Sequence, residues 1–417
     1  MTGEFRKFLY PLDHPRLAGL DQLDLVEYAD AHRNMPVIGP MIDEWLDLFE
    51  QTRFTGITDD GTLVTDLFRL GTNESAPNDA ARRAVTELLE HLDEPQRLAV
   101  SHPLDSRVWR AWMNPEFYLQ RYGLRLEDLD GATNELVLNL IRASTSPRGY
   151  AKTVDLMRIN KFLGDLVGLP KILCEGSYNI NIFGTPAPDQ PWGWNLYGHH
   201  LTLNTLFIGD QQVFTPVFFG AEPNEIDEGP YAGTTVFTGL EADSLAMIRA
   251  LSPELAEKAI LYHDKRDSAI PAGRIHYGDE LHLGGAFRDN RVIPHEGVSV
   301  AEFDGPQRDL LLRLVEQHLD YQPDGPRAAR MAEIRQHLDD TWLCWIGGTG
   351  DEDTFYYRIQ SPVIMVEFDH HAGIFLANEK PERFHIHTLV RTPNGNDYGH
   401  ALACLCTGRN DELDGPA

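Results

Sequence analysis

The chain has 417 residues and a formal net charge of −28, and 42% of its residues are hydrophobic. This length and apolar content predict a folded protein with a large core and exclude an intrinsically disordered chain. Nucleic acids and anionic membrane surfaces are bound through Lys and Arg, so we expect neither as a partner of so acidic a chain. No apolar run is long enough for a transmembrane helix, and the residues after Met1 lack the apolar core of a signal peptide. We therefore expect a cytoplasmic protein that binds a small molecule.

Residues 1–145 are predicted to form a mainly helical N-terminal region that packs on the rest of the chain. Apolar residues recur at a helical period after Pro77 and again across Thr133–Ala143. Ser146-Pro147 is typical of an N-cap followed by proline at the first helical position, and the helix that begins there is predicted to stop at Gly168. We place the boundary of an α+β catalytic core here, so that this core covers residues 146–417.

From Tyr178 onward, β-branched and aromatic residues alternate with polar ones, which predicts strands. The predicted strands are Trp194–Tyr197, His200–Ile208, Gln212–Pro216, Thr341–Ile346, Tyr356–Gln360, Val363–Phe368 and Phe384–Arg391, with a hairpin turn at Gly209-Asp210. Helices are predicted between them over Glu241–Leu251, Ser252–Tyr262, Gln307–Leu319 and Arg327–Asp339. Strands joined by short turns, with helical blocks between them, indicate an α+β fold: an antiparallel β-sheet core with flanking helices.

The first candidate site is the string from Gly198 to Asn204, which contains His199 and His200. If this string is a strand, alternation places His200 on a wholly polar face together with Thr202 and Asn204. Such a face is ordinary where it meets water, but if it is buried it needs polar partners or a metal ion. We therefore favour His200 as a metal ligand, with His199 as an alternative ligand or as a residue that orients one.

The second candidate site is His385-Ile386-His387, whose two imidazoles would point to the same side of a strand. Val363–Asp369 and Phe384–Arg391 are predicted to pair as antiparallel neighbours, which would bring Glu367 near this face. Two strand histidines, a glutamate and a third imidazole match the usual ligands of Zn²⁺ or non-haem Fe²⁺. A purely structural polar cluster is the alternative, and the adjacent His370 and His371 are interpreted as exposed turn residues.

Three further residues are candidates for substrate binding or proton transfer. Arg391 shares the face of the two histidines, so it either binds a substrate acid group or forms an ion pair with Asp397 or Asp369. Glu175 and Tyr178 precede the strand region and would supply an acid/base group and a hydrogen bond. A surface role at the end of a helix is the equal alternative for that pair.

Several strings together resemble a bacterial family described only as a domain of unknown function, DUF3500. They are Trp192-Gly193-Trp194 with Gly198–Asn204, Thr215–Pro223, Tyr356–Pro362 with Glu367-Phe368-Asp369, His385–Thr388 and Arg391. The resemblance covers residues 50 to 405 and implies membership of the family, but it implies no reaction. Phe384 and His370 stand where members commonly carry Asn, and both departures leave the proposed ligands in place. Some relatives carry a secretion leader, whereas this sequence is expected to lack one.

These observations lead to one main hypothesis and two alternatives. The main hypothesis is a metal-dependent hydrolase or lyase that acts on a small organic substrate, acidic or amino-acid-like. The reaction would be metal-assisted hydrolysis or cleavage of a C–N or C–O bond. His200, His385 and His387 would hold a divalent Zn, Fe or Mn ion, with Glu367 as a fourth ligand or general base. His199, Asn204 and Asp369 would orient the ligands. The alternatives are a non-haem iron oxygenase or oxidase and a non-catalytic binding protein. The oligomeric state is left open.

Overall fold

The computed structural model describes residues 3–408. The α-helices in this range are α1 Leu25–Arg33, α2 Ile38–Gln51, α3 Asn78–His91, α4 Glu94–Val100, α5 Gly131–Ser144, α6 Pro147–Val167, α7 Thr238–Arg249, α8 Pro253–Ala259, α9 Gly305–His318, α10 Asp324–Gln336 and α11 His400–Thr407. The strands are β1 Ser101–His102, β2 Leu124–Arg125, β3 Tyr178–Gly184, β4 Trp192–Gly198, β5 Leu201–Ile208, β6 Gln211–Val213, β7 Val217–Ala221, β8 Ile260–Tyr262, β9 Val298–Ser299, β10 Trp342–Gly347, β11 Phe355–Gln360, β12 Met365–His370 and β13 Ile386–Arg391. Short 3-10 helices lie at Glu4–Phe8, Leu20–Gln22, Arg107–Arg110, Leu126–Asp128, Val300–Glu302, Leu338–Asp340 and Asp397–Gly399.

The strands form one large sheet. Its main path runs β1-β3-β4-β5-β7-β13-β12-β11-β10-β8, with β2 beside β3, β6 beside β5 and β9 beside β10. The pairs β1–β3 and β8–β10 are parallel, and the other pairs are antiparallel. The predicted α+β fold with an antiparallel core is therefore confirmed.

Local sequence signals explain where several elements begin and end. The Ser146 side chain accepts a hydrogen bond from the Gly149 amide at the start of α6, and the helix ends at Gly168 with φ 73°. The helix predicted over Ser252–Tyr262 stops earlier, because Ile260–Tyr262 pairs with β10 as strand β8. Here strand pairing overrides a helical pattern that the sequence carries.

The central strands are buried on both faces. Every residue of β5 and of β11 to β13 is buried, so the polar residues of these strands meet protein rather than water. A single hydrophobic cluster includes side chains from both the N-terminal region and the rest of the chain. Trp109, for example, stacks on Phe183 with ring centroids 3.7 Å apart. Within residues 3–408, no helix combines the length and the apolar character that a membrane crossing requires.

Candidate metal centre

His200 lies in a hairpin turn rather than at the start of a strand. β4 ends at Gly198 and β5 begins at Leu201, so His199 and His200 are the two turn residues, and His200 has φ 60°. A left-handed conformation is unfavourable for a residue other than glycine, so it must be held by its surroundings. The His200 amide donates to the Asn114 carbonyl at 3.1 Å, and the Gly220 amide donates to the His200 carbonyl at 2.7 Å. These two bonds fix the imidazole at the edge of β7.

His385 and His387 reach the same place from the C-terminal end of the sheet. His387 lies on β13 opposite Gly220 of β7, and His385 precedes β13 by one residue. A Cβ atom added at Gly220 would lie 2.8 Å from His387 Cδ2 and 3.2 Å from His200 Cδ2. Because residue 220 has no side chain, the two imidazoles have room to meet over this strand.

The structure brings together the three imidazoles that the sequence favoured as ligands. His387 Nε2 lies 2.9 Å from His200 Nε2 and 3.0 Å from His385 Nε2. The possible ligand atoms of the three residues all lie within 4.8 Å of one another. The exposed fractions of His200, His385 and His387 are 7%, 0% and 2%.

The three imidazoles are uncharged, which favours metal binding by this group. Burial lowers the pKa of His385 to about 3 and holds the pKa of His200 and of His387 well below the usual range, so the rings are neutral. His385 Nδ1 donates to the Ala372 carbonyl at 2.8 Å, which leaves a lone pair on its Nε2. A single proton on His387 Nε2 cannot form hydrogen bonds to both His200 Nε2 and His385 Nε2. A cation between the three rings can accept a lone pair from each of them.

The spacing also fits a small divalent ion. With Zn–N bonds of about 2.0–2.1 Å, nitrogen ligands at tetrahedral angles lie roughly 3.3 Å apart. The observed Nε2 separations of 2.9 and 3.0 Å differ from this value by a few tenths of an ångström. Two of the three nitrogen separations therefore match a divalent ion, and the third is at most 4.8 Å.

Asn114 contacts two of the three histidines. Its carbonyl accepts from the His200 amide, and its Nδ2 lies 3.5 Å from His387 Nδ1. Its Oδ1 is buried and has no hydrogen-bond partner within the described part of the chain. Nδ2 also donates to the Gly278 carbonyl at 3.4 Å, and a rotation of the amide that exchanges Oδ1 and Nδ2 would give up this long contact and present Oδ1 to a His387 Nδ1 proton. His387 Nε2 would then be free to bind a metal ion, as His385 Nε2 already is.

A cavity of about 330 Å³ lies beside the three histidines. The rings of His199, His200, His371 and His387 form one wall of this cavity. Tyr277, which is 54% exposed, also lines the cavity and lies at its opening. A metal ion held by these imidazoles would therefore lie next to a space that a small molecule can occupy.

Glu367 is not part of the three-imidazole group, contrary to the expected arrangement. Its Oε1 accepts from the Tyr356 hydroxyl at 2.6 Å and from the Leu283 amide at 2.8 Å, and its Oε2 accepts from the Gly284 amide at 2.9 Å. The strands pair in the predicted antiparallel way, but their register sets Glu367 opposite Leu389. It is Asp369 that faces His387 across the two strands.

Arg391 is held in a buried ion-pair cluster. One of its terminal nitrogens (Nη1) lies 2.7 Å from Asp289 Oδ1 and 3.1 Å from Asp397 Oδ2. Its Nε and Nη2 donate to the carbonyls of Gly284 and Gly285. Of the two roles considered for Arg391, the structure shows the ion pair with Asp397, and Asp369 pairs instead with Lys265.

Glu175 and Tyr178 lie apart from the cavity. Glu175 is half-buried, with its Oε1 3.9 Å from Arg158 Nε. Tyr178 is fully buried and burial raises the pKa of its hydroxyl, which has no partner within residues 3–408. Neither residue is among those that line the cavity. The acid/base and hydrogen-bonding roles suggested for this pair therefore have no support in the geometry.

The two remaining residues predicted to support the ligands have different positions. His199 lines the cavity, and its Nδ1 lies 2.8 Å from Asn160 Oδ1, but it is outside the three-imidazole group. Asn204 donates to the Pro216 carbonyl at 2.9 Å, which ties β5 to the segment before β7. His199 thus remains next to the candidate metal position, whereas Asn204 stabilises the strands beneath it.

His370 and His371 are buried, so their interpretation as exposed turn residues is wrong. β12 continues to His370, and the chain that follows reaches the surface at Glu379 and Lys380 before it returns to the interior at His385. His371 is 2% exposed, its ring centroid lies 3.6 Å from that of His387, and its Nε2 lies 3.3 Å from Asp369 Oδ2. His371 is therefore a cavity residue that the sequence analysis missed.

The N-terminal region also contributes residues that the sequence did not single out. Asn114 and Glu116 line the cavity, together with Tyr28 and His32 of α1. Only contacts between distant segments bring these residues to the histidines, and their local sequence carries no metal-site or catalytic motif. No local signal would have found them.

Comparison with known proteins gives one match. The model of the family described as "Protein of unknown function (DUF3500)" matches residues 74–400. No curated protein and no solved structure matches the chain significantly. The matched segment includes His200, His385 and His387, whereas the part of the cavity wall formed by residues 16–41 precedes it.

Proposed function

The chain belongs to the DUF3500 family, and from this premise we propose that it is a metal-dependent enzyme that acts on a small organic molecule. The proposed reaction is metal-assisted hydrolysis or cleavage of a C–N or C–O bond. One observation carries the proposal: three buried, neutral imidazoles converge within 4.8 Å, and two of them line a cavity of about 330 Å³. Three histidine ligands with one open position are typical of catalytic zinc sites.

The residues of the chain have distinct parts in this proposal. His200, His385 and His387 hold the ion, which supplies Lewis acidity when bound. The carbonyl of Ala372 and the side chain of Asn114 orient the rings of His385 and His387.

His371 is the group we propose for proton transfer. It lines the cavity outside the three-imidazole group, and the Asp369 carboxylate lies 3.3 Å from its Nε2. The contact is not yet a hydrogen bond, and we propose that a small rotation of the ring makes it one, so that the other ring nitrogen can exchange a proton with a substrate in the cavity. We propose this role for His371 rather than for Glu367, because three donors already occupy the Glu367 carboxylate.

The ligand set favours this reaction class over a non-haem iron oxygenase. Oxygenases of that kind commonly use two histidines and one carboxylate. Here the ligand group consists of three imidazoles. The Glu222 carboxylate also lies near His385, but 3.8 Å from its Nδ1, whereas the nitrogen that faces the other rings is Nε2. Glu222 is therefore on the wrong side of the ring to complete a set of two histidines and one carboxylate. We therefore place the oxygenase second and the non-catalytic binding protein third.

Elemental analysis tests the metal site directly. Protein purified without added metal is expected to contain about one divalent ion per chain, and the His387→Ala variant is expected to contain none. His91→Ala is the matched control, because His91 is exposed in the last turn of α3. If wild-type protein and His387→Ala both stay metal-free after incubation with Zn²⁺, Fe²⁺ or Mn²⁺, the proposal is wrong.

The identity of the ion then separates the two enzyme hypotheses. Zinc or manganese without oxygen consumption in the presence of candidate substrates supports hydrolysis or bond cleavage. Iron together with oxygen consumption supports the oxygenase. If a ligand binds equally to wild-type protein and His387→Ala and is not converted by the metal-loaded enzyme, the non-catalytic alternative is favoured.

A further inference from the structure

The wall of the cavity opposite the imidazoles is largely apolar. It is formed by Leu17, Leu20, Met35, Ile38, Met41 and Phe117. All but Phe117 precede the segment matched by the family model, which begins at residue 74. The surface that a bound molecule would meet away from the histidines thus comes mainly from the N-terminal region of this chain.

One carboxylate lies within this apolar surface. Glu116 is 8% exposed, and its Oε1 accepts from the Tyr28 hydroxyl at 2.7 Å. Burial raises the pKa of Glu116, and an ionised carboxylate can accept about four hydrogen bonds, more than the Tyr28 hydroxyl and its own backbone amide supply. A buried carboxylate is stable only where donors or positive charge accompany it. A ligand in the cavity can supply both.

Three aromatic rings that line the same cavity lie next to one another near this carboxylate. The Tyr28 ring lies 4.1 Å from the His32 ring, and the His32 ring lies 5.3 Å from the Phe117 ring, measured between centroids. The faces of tyrosine and phenylalanine rings attract cations. Together with Glu116 they form a surface suited to an ammonium group on an apolar molecule.

Apart from an ion on the three histidines, the distribution of positive charge around the cavity disfavours an acidic ligand. Among the residues that line the cavity, Arg16 is the one arginine, and it lies exposed at the surface. Two of its nitrogens donate to the Tyr10 hydroxyl at 3.1 Å and to the Ile374 carbonyl at 2.8 Å. The net charge of −28 also attracts cations and repels anions.

We propose that the cavity binds a small amine with an apolar body, whose ammonium group pairs with Glu116 and whose body packs against the N-terminal wall. This inference rests on the proposed function only for the reacting end of the molecule, which would point to the three histidines. Recognition of the amine itself needs no metal ion. It makes the N-terminal region, rather than Arg391, the main source of substrate selectivity.

Three probes that share a phenyl ring and a two-carbon chain test the proposal by calorimetric titration of the full-length protein. They are 2-phenylethylamine, 2-phenylethanol and phenylacetate. The amine is expected to bind about tenfold more tightly than the alcohol, since a charge-assisted hydrogen bond is stronger than a neutral one. Phenylacetate is expected to bind most weakly to chelator-treated protein, in which no metal ion is present to hold its carboxylate. Glu116→Gln should remove the advantage of the amine, because the amide keeps the size and the acceptor for Tyr28 but not the charge.

Two further variants serve as controls. Glu175→Gln changes a half-buried carboxylate outside the cavity and should leave all three affinities unchanged. Met35→Trp enlarges a residue of the cavity wall and should weaken all three probes together, with the preference for the amine retained. If Glu116→Gln fails to fold, Glu116→Asp replaces it, and retraction of the charge by one methylene should reduce the advantage of the amine.

The outcome is independent of the metal proposal. The titrations are repeated with protein treated with a chelator and with His387→Ala, and the advantage of the amine should persist in both. Equal binding of amine and alcohol, tighter binding of phenylacetate to the chelator-treated protein, no binding of any probe, or an advantage that survives Glu116→Gln would each overturn the inference. An advantage that disappears on chelation would also overturn it. A protein that holds no metal but prefers the amine would refute only the proposed catalytic function.

Discussion

His200 Nε2 and His387 Nε2 lie 2.9 Å apart although 187 residues separate them in the chain. Gly220 connects the two residues, because its amide donates to the His200 carbonyl and its Cα is the register partner of His387. Three segments of the chain thus meet at one glycine, and the approach of the two imidazoles depends on the absence of a side chain there.

Gly220→Ala is expected to weaken metal binding. The added Cβ would lie 2.8 Å from His387 Cδ2, so the ring must move away from its partners. Displacement of one ligand should reduce metal affinity by about 10- to 100-fold, and the overpacking should cost about 1–3 kcal/mol of stability. Metal titration and urea unfolding measure the two effects.

Gly239→Ala is the matched control for this variant. A Cβ at Gly239, in the first turn of α7, meets no atom within 4 Å. The change should leave metal affinity unchanged and stabilise the protein slightly, by up to ~1 kcal/mol. Wild-type metal affinity in Gly220→Ala would contradict the spatial argument.

His199 and His200 are expected to differ in their effect on metal content although they are adjacent. His200→Ala removes a member of the three-imidazole group and should abolish stoichiometric metal binding. His199→Ala should retain the ion, because His199 Nδ1 is paired with Asn160 and the residue lies outside the group. Elemental analysis of both variants shows which of the two histidines is the metal ligand. Loss of metal from His199→Ala alone would restore His199 as the ligand.

Much of the sheet around this site could be predicted from sequence because its signals are local. Alternating residues mark β12 and β13, and short turns such as Gly209-Asp210 imply antiparallel neighbours. The same alternation identified His385 and His387 as a pair. Register could not be predicted in this way, because it depends on how two separate strands slide past one another. The sequence therefore selected Glu367, whereas the register places Asp369 opposite His387.

The cavity was beyond sequence analysis for a related reason. A helical pattern gives the buried side of α1, but not the part of the sheet that this side meets. The exposed turn predicted at His371 failed because polar residues next to a strand usually mean solvent, whereas here other segments cover them. Asn114 and Glu116 belong to an irregular segment, and only the folded structure brings them to the histidines.

Asn114 is expected to act through the orientation of His387. Among the described residues, the Asn114 side chain is the one hydrogen-bond partner shown for His387 Nδ1. Asn114→Ala removes this partner and should lower metal affinity by about 10- to 100-fold. Asn114→Asp should retain near wild-type affinity, because a carboxylate accepts the Nδ1 proton as the rotated amide would. Metal competition titrations measure both, and Asn34→Ala, at an exposed position after α1, is the control. Equal losses in Ala and Asp would contradict the proposed orientation.

Arg391→Met is expected to destabilise the protein without removing the metal. The change leaves Asp289 and Asp397 buried with fewer partners, and breaking a buried pair by removing one member costs about 3–5 kcal/mol. The metal content should stay at the wild-type level, since Arg391 lies outside the imidazole group. Urea unfolding and elemental analysis test the two statements. A stable variant that loses activity would instead support a substrate-binding role for Arg391.

The stability deficit of Arg391→Met is expected to shrink as pH falls. Burial already raises the pKa of Asp397 to about 6 in the wild-type protein, although Arg391 opposes this effect. Removal of the guanidinium raises the pKa of Asp397 in the folded variant further. In the unfolded chain an aspartate has a pKa of about 4, so between these two values the folded variant holds a proton that the unfolded chain has released. Proton uptake on folding stabilises the variant more strongly at about pH 5 than at about pH 8. Urea unfolding of both proteins at the two pH values measures the difference, and a deficit that is constant or grows at low pH would contradict this account.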